Sequence, residues 1–186
     1  ALLSCSNLSE NEFEKIQQAL TTMTQEGFRV LAVAEAKFYG DNFPEKQQDF
    51  SFQFKGLVAF YDPPKSNIKE VFETFYKAGI DIKIITGDNT ETTTTIAKQV
   101  GFKNHDKALS GDELMAMDKI ILKSKVMETH LFTRMFPEAK LKIIKALKDN
   151  NQIVAMTGDG VNDGPALKSA HIGIAMGKRG TEIAKQ

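Results

Sequence analysis

Residues 152–177, QIVAMTGDGVNDGPALKSAHIGIAMG, constrain the fold more than any other stretch of the chain. Ile153 to Met156 form an apolar run of strand length, which Thr157-Gly158-Asp159-Gly160 stops with two glycines around a carboxylate. Asn162-Asp163-Gly164-Pro165 adds a second acid and a helix-starting signal, and Ile172 to Met176 reads as another buried strand. A strand that ends in such a turn and opens into a helix puts polar groups at the carboxyl end of a sheet. In open α/β sheets ligands bind there. Backbone N–H groups in the turn suit an anion, and Asp159 and Asp163 suit a divalent cation, so phosphate with Mg²⁺ is the expected ligand pair. Gly and Asp are also ordinary turn formers. Three glycines, two aspartates and an asparagine within residues 158–164, all at one strand end, favour a site over a plain turn.

The full string, TGDGVND-x-PALK-x-A-x-IGIAMG, resembles the hinge motif of the P-type cation-transporting ATPases, in their phosphorylation domain. Gly164 stands where that family usually has Ala, and His171 where it commonly has an acid or Asn.

Towards the amino terminus, Ser9 and Glu12 have capping-box spacing, and Phe13, Ile16, Ala19, Leu20 and Met23 share one helical face over residues 8–26. Gly27 ends that helix, and residues 28–36, FRVLAVAEA, read as a strand with Arg29 at its start. Taken alone, Arg29 is an exposed edge charge. The phrase EGFRVLAVA, however, resembles the last part of the P-type nucleotide-binding domain, which implies contact between Arg29 and nucleotide phosphates. Residues 39–50 are polar and turn-rich, and 52–61 form a second strand before Asp62-Pro63-Pro64-Lys65. Neither a helix nor a central strand accommodates the two prolines. They place a domain boundary there, between residues 1–61 and 62–186. The family's DPP(R/K) connector agrees, and Asp62 is balanced between a turn former and an acid near the active site.

Residues 66–78 are expected to form an amphipathic helix with Ile68, Val71, Phe72 and Phe75 inward. A strand over IDIKII (80–85) follows, then Thr86-Gly87-Asp88-Asn89. Asp88 and Glu91 have capping-box spacing for a helix to about Val100, which contains the poor helix formers Thr92 to Thr95. Residues 103–125 carry little functional signal: a short strand at Ala108-Leu109, then helices with Leu114, Met115 and Met117 as core. His130 to Arg134 reads as a strand, and Pro137 opens a helix that buries Leu141, Ile144 and Leu147. Lys140 lies in the first turn of that helix, the unfavourable end of the dipole for a cation unless an anion sits there too. FTRMFPEAK resembles the family's FAR-x-x-P-x-x-K segment, which implies a phosphoryl contact for Lys140 and a ribose contact for Arg134.

Together Thr86, Lys140, Asp159 and Asp163 match three motifs of the haloacid-dehalogenase-like phosphotransferases, the superfamily that includes P-type ATPases. The resemblance implies a Rossmann-type parallel α/β sheet flanked by helices, preceded by the C-terminal part of an α+β nucleotide-binding domain. It implies that Thr86 and the Gly87 N–H hold phosphoryl oxygens, that Lys140 neutralises charge, and that Asp159 ligates Mg²⁺. Asn162 would contact phosphate, Asp163 would orient the loop, and Asp88 would lie beside ATP. The family's nucleophile, an Asp in DKTGT, occurs nowhere in the chain. The expectation is therefore a fragment of an ATP-driven cation pump of the calcium-type subfamily, inactive by itself. Its partners would be the nucleophile strand and the transmembrane and actuator domains, at the cytoplasmic face of a membrane.

Composition is compatible with this. Lys plus Arg and Asp plus Glu are both 24, which gives no support to nucleic-acid binding, and Cys5 cannot form an internal disulfide. No run reaches the roughly 18–20 apolar residues of a membrane helix, so the chain as it stands is expected to be soluble. The alternatives are a soluble haloacid-dehalogenase-like phosphatase, which would need its own D-x-D strand, and a non-catalytic nucleotide- or Mg²⁺-binding module. With Asp159 as its one carboxylate ligand, the chain is expected to bind Mg²⁺ and phosphate analogues weakly. Calorimetry should find no tight Mg²⁺ site, and a sub-micromolar one would mean that another acid completes the set.

Overall fold

The computed structural model describes residues 2–40, 42–159 and 161–176; the expectations for Gly160 and for the segment from residue 177 onward lie outside them. The chain divides into two compact units, Ala1–Pro64 and Lys65–Gln186, separating within the Asp62-Pro63-Pro64-Lys65 connector.

The first unit is a helix on a hairpin. Helix α1 (Glu10–Gln25) starts at a complete capping box: the Glu12 N–H donates to the Ser9 hydroxyl, and the Ser9 N–H and hydroxyl both donate to the Glu12 carboxylate. Those bonds hold the Glu12 carboxyl below its ordinary range. Strands β1 (Arg29–Glu35) and β2 (Gln53–Phe60) pair antiparallel with Arg29 opposite Phe60 and a bulge after Val33. Val30, Ala32 and Ala34 alternate inward, whereas Leu31, Val33, Val58 and Phe60 remain exposed.

The second unit contains α2 (Ile68–Lys77), β3 (Ile84–Ile85), α3 (Thr90–Gln99), β4 (Ala108–Ser110), α4 (Gly111–Ala116), α5 (Lys119–Glu128), β5 (Leu131–Thr133), α6 (Pro137–Asp149), β6 (Ala155–Gly158), α7 (Gly164–Ser169) and β7 (Ile172–Ala175). Among the described residues all its strand pairs are parallel. Its core is Phe102, Leu114, Val126, Leu131, Phe132, Ile143 and Ile144, each essentially inaccessible, with α6 and α5 supplying the helical side. Pro137 occupies the first turn of α6, where its missing N–H costs nothing.

Several elements depart from expectation for identifiable reasons. Strand β3 is confined to Ile84–Ile85 because β5, its one hydrogen-bonded neighbour, is itself three residues long. So short an edge leaves little sheet for α2 to lie on. That helix leans through Phe72 on Phe102, ring centroids 5.3 Å apart, and its Val71 and Phe75 stay exposed rather than inward. Met115 also faces out, while Leu114 is buried. Strand β6 begins at Ala155, with Ile153 80% exposed, and β7 is an outer strand whose Ile172 and Ile174 are exposed instead of buried.

The parallel sheet comes in two pieces, ordered β3-β5-β4 and β6-β7. Alternate residues of a parallel strand direct their N–H and C=O groups to opposite sides. The Ile84 and Thr86 N–H groups donate to β5, and the Val154 and Gly158 carbonyls accept from the β7 side. Ile85 on one bank and Ala155 and Thr157 on the other therefore turn their backbone groups into the space between. That space is a cleft of about 980 Å³ lined by both strands. Unpaired edges recruit other strands. Light scattering of the 186-residue chain at moderate concentration should find association or aggregation. A cooperatively unfolding monomer under those conditions would show that the two banks close on each other.

Candidate functional site

The carboxyl ends of β3, β5 and β6 deliver the polar residues to one end of the cleft. Thr86, Gly87, Lys140, Asp159 and Asp163 all line it. Thr86 follows β3 directly. Its hydroxyl accepts from the Asp88 N–H at 3.1 Å and donates to the Asp88 carboxylate at 3.3 Å, which makes the turn a compact polar knob. Asp88 is thus engaged in the turn, and the residue that caps α3 is Asn89, whose side chain accepts from the Thr92 N–H at 2.8 Å. The expected Asp88–Glu91 box does not form, because Asp88 already serves the turn, and a single Asn89 cap one residue later replaces it. Of the four threonines that follow, Thr92 and Thr93 are buried, and the Thr93 hydroxyl donates to the Asn89 carbonyl.

Lys140 projects from the first turn of α6 to Asp163, with Nζ 2.6 Å from Oδ1 and both side chains nearly buried. This carboxylate is the anion that the position of Lys140 required. Burying both charges costs several kcal/mol of desolvation, which a short, well-aligned pair can offset and a single remaining partner cannot. Asp163 reaches Lys140 by passing over Gly158. A Cβ on Gly158 would stand 2.7 Å from the Asp163 Cβ and 2.8 Å from Oδ2, so only glycine fits beneath it. Gly158 is a site residue that the sequence reading did not single out, although it lies inside the Gly-Asp-Gly turn.

Asp159 is exposed at the cleft, and among the described residues no group bonds to its carboxylate. No cluster of three or more His, Cys, Asp or Glu occurs among them either. One hard oxygen donor open to water suits Mg²⁺, which keeps waters and phosphate oxygens around one or two carboxylates. The residues present therefore fit an Mg²⁺ ion held in part by this chain. Asn162, exposed in the 3₁₀ turn Val161–Asp163, and exposed Asp88 and Arg134 are not among the residues lining the cleft. Arg29 opens β1 in the first unit and is exposed.

Parallel strands that bring a hydroxyl, a lysine and two carboxylates to their carboxyl ends, with helices packed around them, define a Rossmann-type α/β hydrolase domain. The chain belongs to the haloacid dehalogenase-like hydrolases, whose family model matches residues 6–171. It is 42% identical over 180 residues to human calcium-transporting ATPase type 2C member 1, covering 96% of this chain and 18% of that protein. Mouse type 2C member 2 is 42% identical over 171 residues, 91% of this chain and 17% of its own length. Calcium-transporting ATPase 1 of Bacillus cereus is 40% identical over 179 residues, 96% of this chain and 20% of its own length. The chain thus spans about a fifth of the curated relatives it matches. Among the described residues no helix is long and apolar enough to cross a membrane.

Asp163→Ala should destabilise the second unit by about 3 kcal/mol, because it strands a buried ammonium. The double variant Lys140→Met/Asp163→Leu should recover most of that loss in urea unfolding. A single variant within about 0.5 kcal/mol of the parent would mean that Lys140 is solvated instead.

Proposed function

We propose that this chain is a catalytic segment of an ATP-driven cation pump, in which it contributes the nucleotide, phosphoryl and Mg²⁺ contacts for an aspartyl-phosphate carried by a strand in the cleft. The carrying observation is the cleft between the β3 and β6 edges, with Thr86, Lys140, Asp159 and Asp163 at its carboxyl end. A parallel strand laid there would pair with Ile85 on one side and with Ala155 and Thr157 on the other. An Asp at its carboxyl end would meet the polar cluster.

In this reading the Thr86 hydroxyl and the Gly87 N–H donate to the phosphoryl oxygens, and Lys140 neutralises the charge that develops during transfer. Asp163 keeps Lys140 extended towards the cleft through their 2.6 Å ion pair. Asp159, together with the strand's own carboxylate, would hold Mg²⁺, which supplies further charge neutralisation on the phosphate. Asn162 contacts phosphate, while Arg134 and Asp88 serve the nucleotide. Arg29 belongs to the remnant of a nucleotide-binding domain, residues 1–61, and residues 62–186 are the phosphorylation domain without its nucleophile strand. The exposed apolar face of Leu31, Val33, Val58 and Phe60 is what such a remnant would present. The rest of the pump, its transmembrane and actuator domains, would place this segment at the cytoplasmic face of a membrane. The names of the similar proteins support calcium as the cation.

A longer protein that includes the strand-bearing region should form an acid-stable phosphoenzyme from ATP, abolished when Mg²⁺ is chelated. In it Lys140→Ala should lower phosphorylation by about 10²-fold, the usual cost of one charge-stabilising contact. A loss below roughly threefold would remove Lys140 from the chemistry.

A further inference from the structure

The turn that carries Thr86, Gly87 and Asp88 is fastened to the end of β5. The Arg134 N–H donates to the Asp88 carbonyl at 2.8 Å, and the Met135 N–H to the Thr86 carbonyl at 2.9 Å. The Thr90 and Thr133 hydroxyls meet at 2.8 Å beside them. Arg134 makes its bond from a left-handed backbone, φ 51°. Among the described residues the other non-glycine positions with positive φ are Asn104 and Asn151, a residue type that enters this region more readily than most. Arg134 has no such preference, so the surrounding structure has to impose the conformation.

Helix α4 starts directly against the Arg134 carbonyl. A Cβ built on Gly111 would lie 2.6 Å from the Arg134 carbonyl oxygen and 3.1 and 3.3 Å from the Phe136 ring. The ring can swing aside. The carbonyl cannot, because the peptide units on both sides of Arg134 are bonded to the turn. Nor can α4 retreat. Ser110 and Glu113 close its capping box, which lowers the Glu113 carboxyl's affinity for protons, and Leu114 beneath it is fully buried.

We infer that Gly111 is a positioning residue for the nucleotide- and phosphoryl-binding turn: its missing side chain is the space that the Arg134 carbonyl occupies. With that space filled, the peptide that carries the Arg134 carbonyl and the Met135 N–H must rotate, the Met135 bond to the Thr86 carbonyl breaks, and both the guanidinium and the 86–88 turn lose their direction. The role in ligand binding rests on the function proposed above; the coupling of Gly111 to the turn rests on the geometry alone.

The test uses the 186-residue chain. In Gly111→Ala, hydrogen exchange at the Arg134 and Met135 amides should quicken by roughly tenfold or more, while Ile143 and Ile144 in α6 keep their protection. NMR shifts should move at Thr86 to Asp88, and affinity for ATP should fall by about tenfold. Gly111→Ala/Phe136→Ala should leave Met135 unprotected, because the carbonyl at 2.6 Å and not the ring is the obstacle. Asp112→Ala, one exposed residue further on, should change none of these. Exchange at 134 and 135 within about twofold of the parent would overturn the inference. So would a uniform loss across the second unit, or recovery of Met135 protection in the variant that also carries Phe136→Ala. Faster exchange at 134 and 135 with unchanged ATP affinity would leave the coupling standing and refute the nucleotide role of the turn.

Discussion

Everything in the second unit depends on its strands being parallel. Parallel pairing gathers the carboxyl ends of β3, β5 and β6 on one side, so the residues that leave those strands share one neighbourhood although they lie between positions 86 and 163. The same pairing rule makes the cleft consequential. Backbone donors and acceptors along β3 and β6 are aimed at a neighbour between them, and buried main-chain groups seldom go without partners. The site and the slot are thus two results of a single arrangement.

Within that arrangement the Lys140–Asp163 pair ties α6 to the turn after β6. It holds two charges nearly out of water, which is a poor way to gain stability but a good way to fix an ammonium beside the cleft. Gly158 is what allows the carboxylate to come so close. On the other bank Gly111 does the same for a backbone carbonyl. At both places a polar group occupies the volume of an absent Cβ, so the site's geometry is set by close contact and not by loops free to adjust.

Much of this was legible beforehand because local signals coincided with tertiary demands. The Ser9–Glu12 box and Pro137 at the start of α6 each specify their own neighbourhood, and each is found where expected. The reading was less secure where a partner is required. IDIKII is apolar enough for six residues of strand, yet only two pair, since strand length is set by the neighbour as much as by the residues. Val71 and Phe75 carry an inward pattern with too little sheet to cover them. Asp88 had the spacing of a cap, but the Arg134 peptide and the Thr86 hydroxyl claimed it for the turn.

By itself, then, the sequence determined the order of strands and helices, the position of the Asp62-Pro63-Pro64-Lys65 connector, and which polar residues follow the strand ends, because these follow from periodicity, proline and glycine chemistry, and short-range motifs. Only the tertiary structure decided that Asp163 is the counter-ion of Lys140, that Asn89 and not Asp88 caps α3, and that Arg134 is left-handed above Gly111. Each of these is a contact between residues far apart in the chain, or a competition between two bonds for one group. A sequence states which groups are present; only packing determines which of them reach each other.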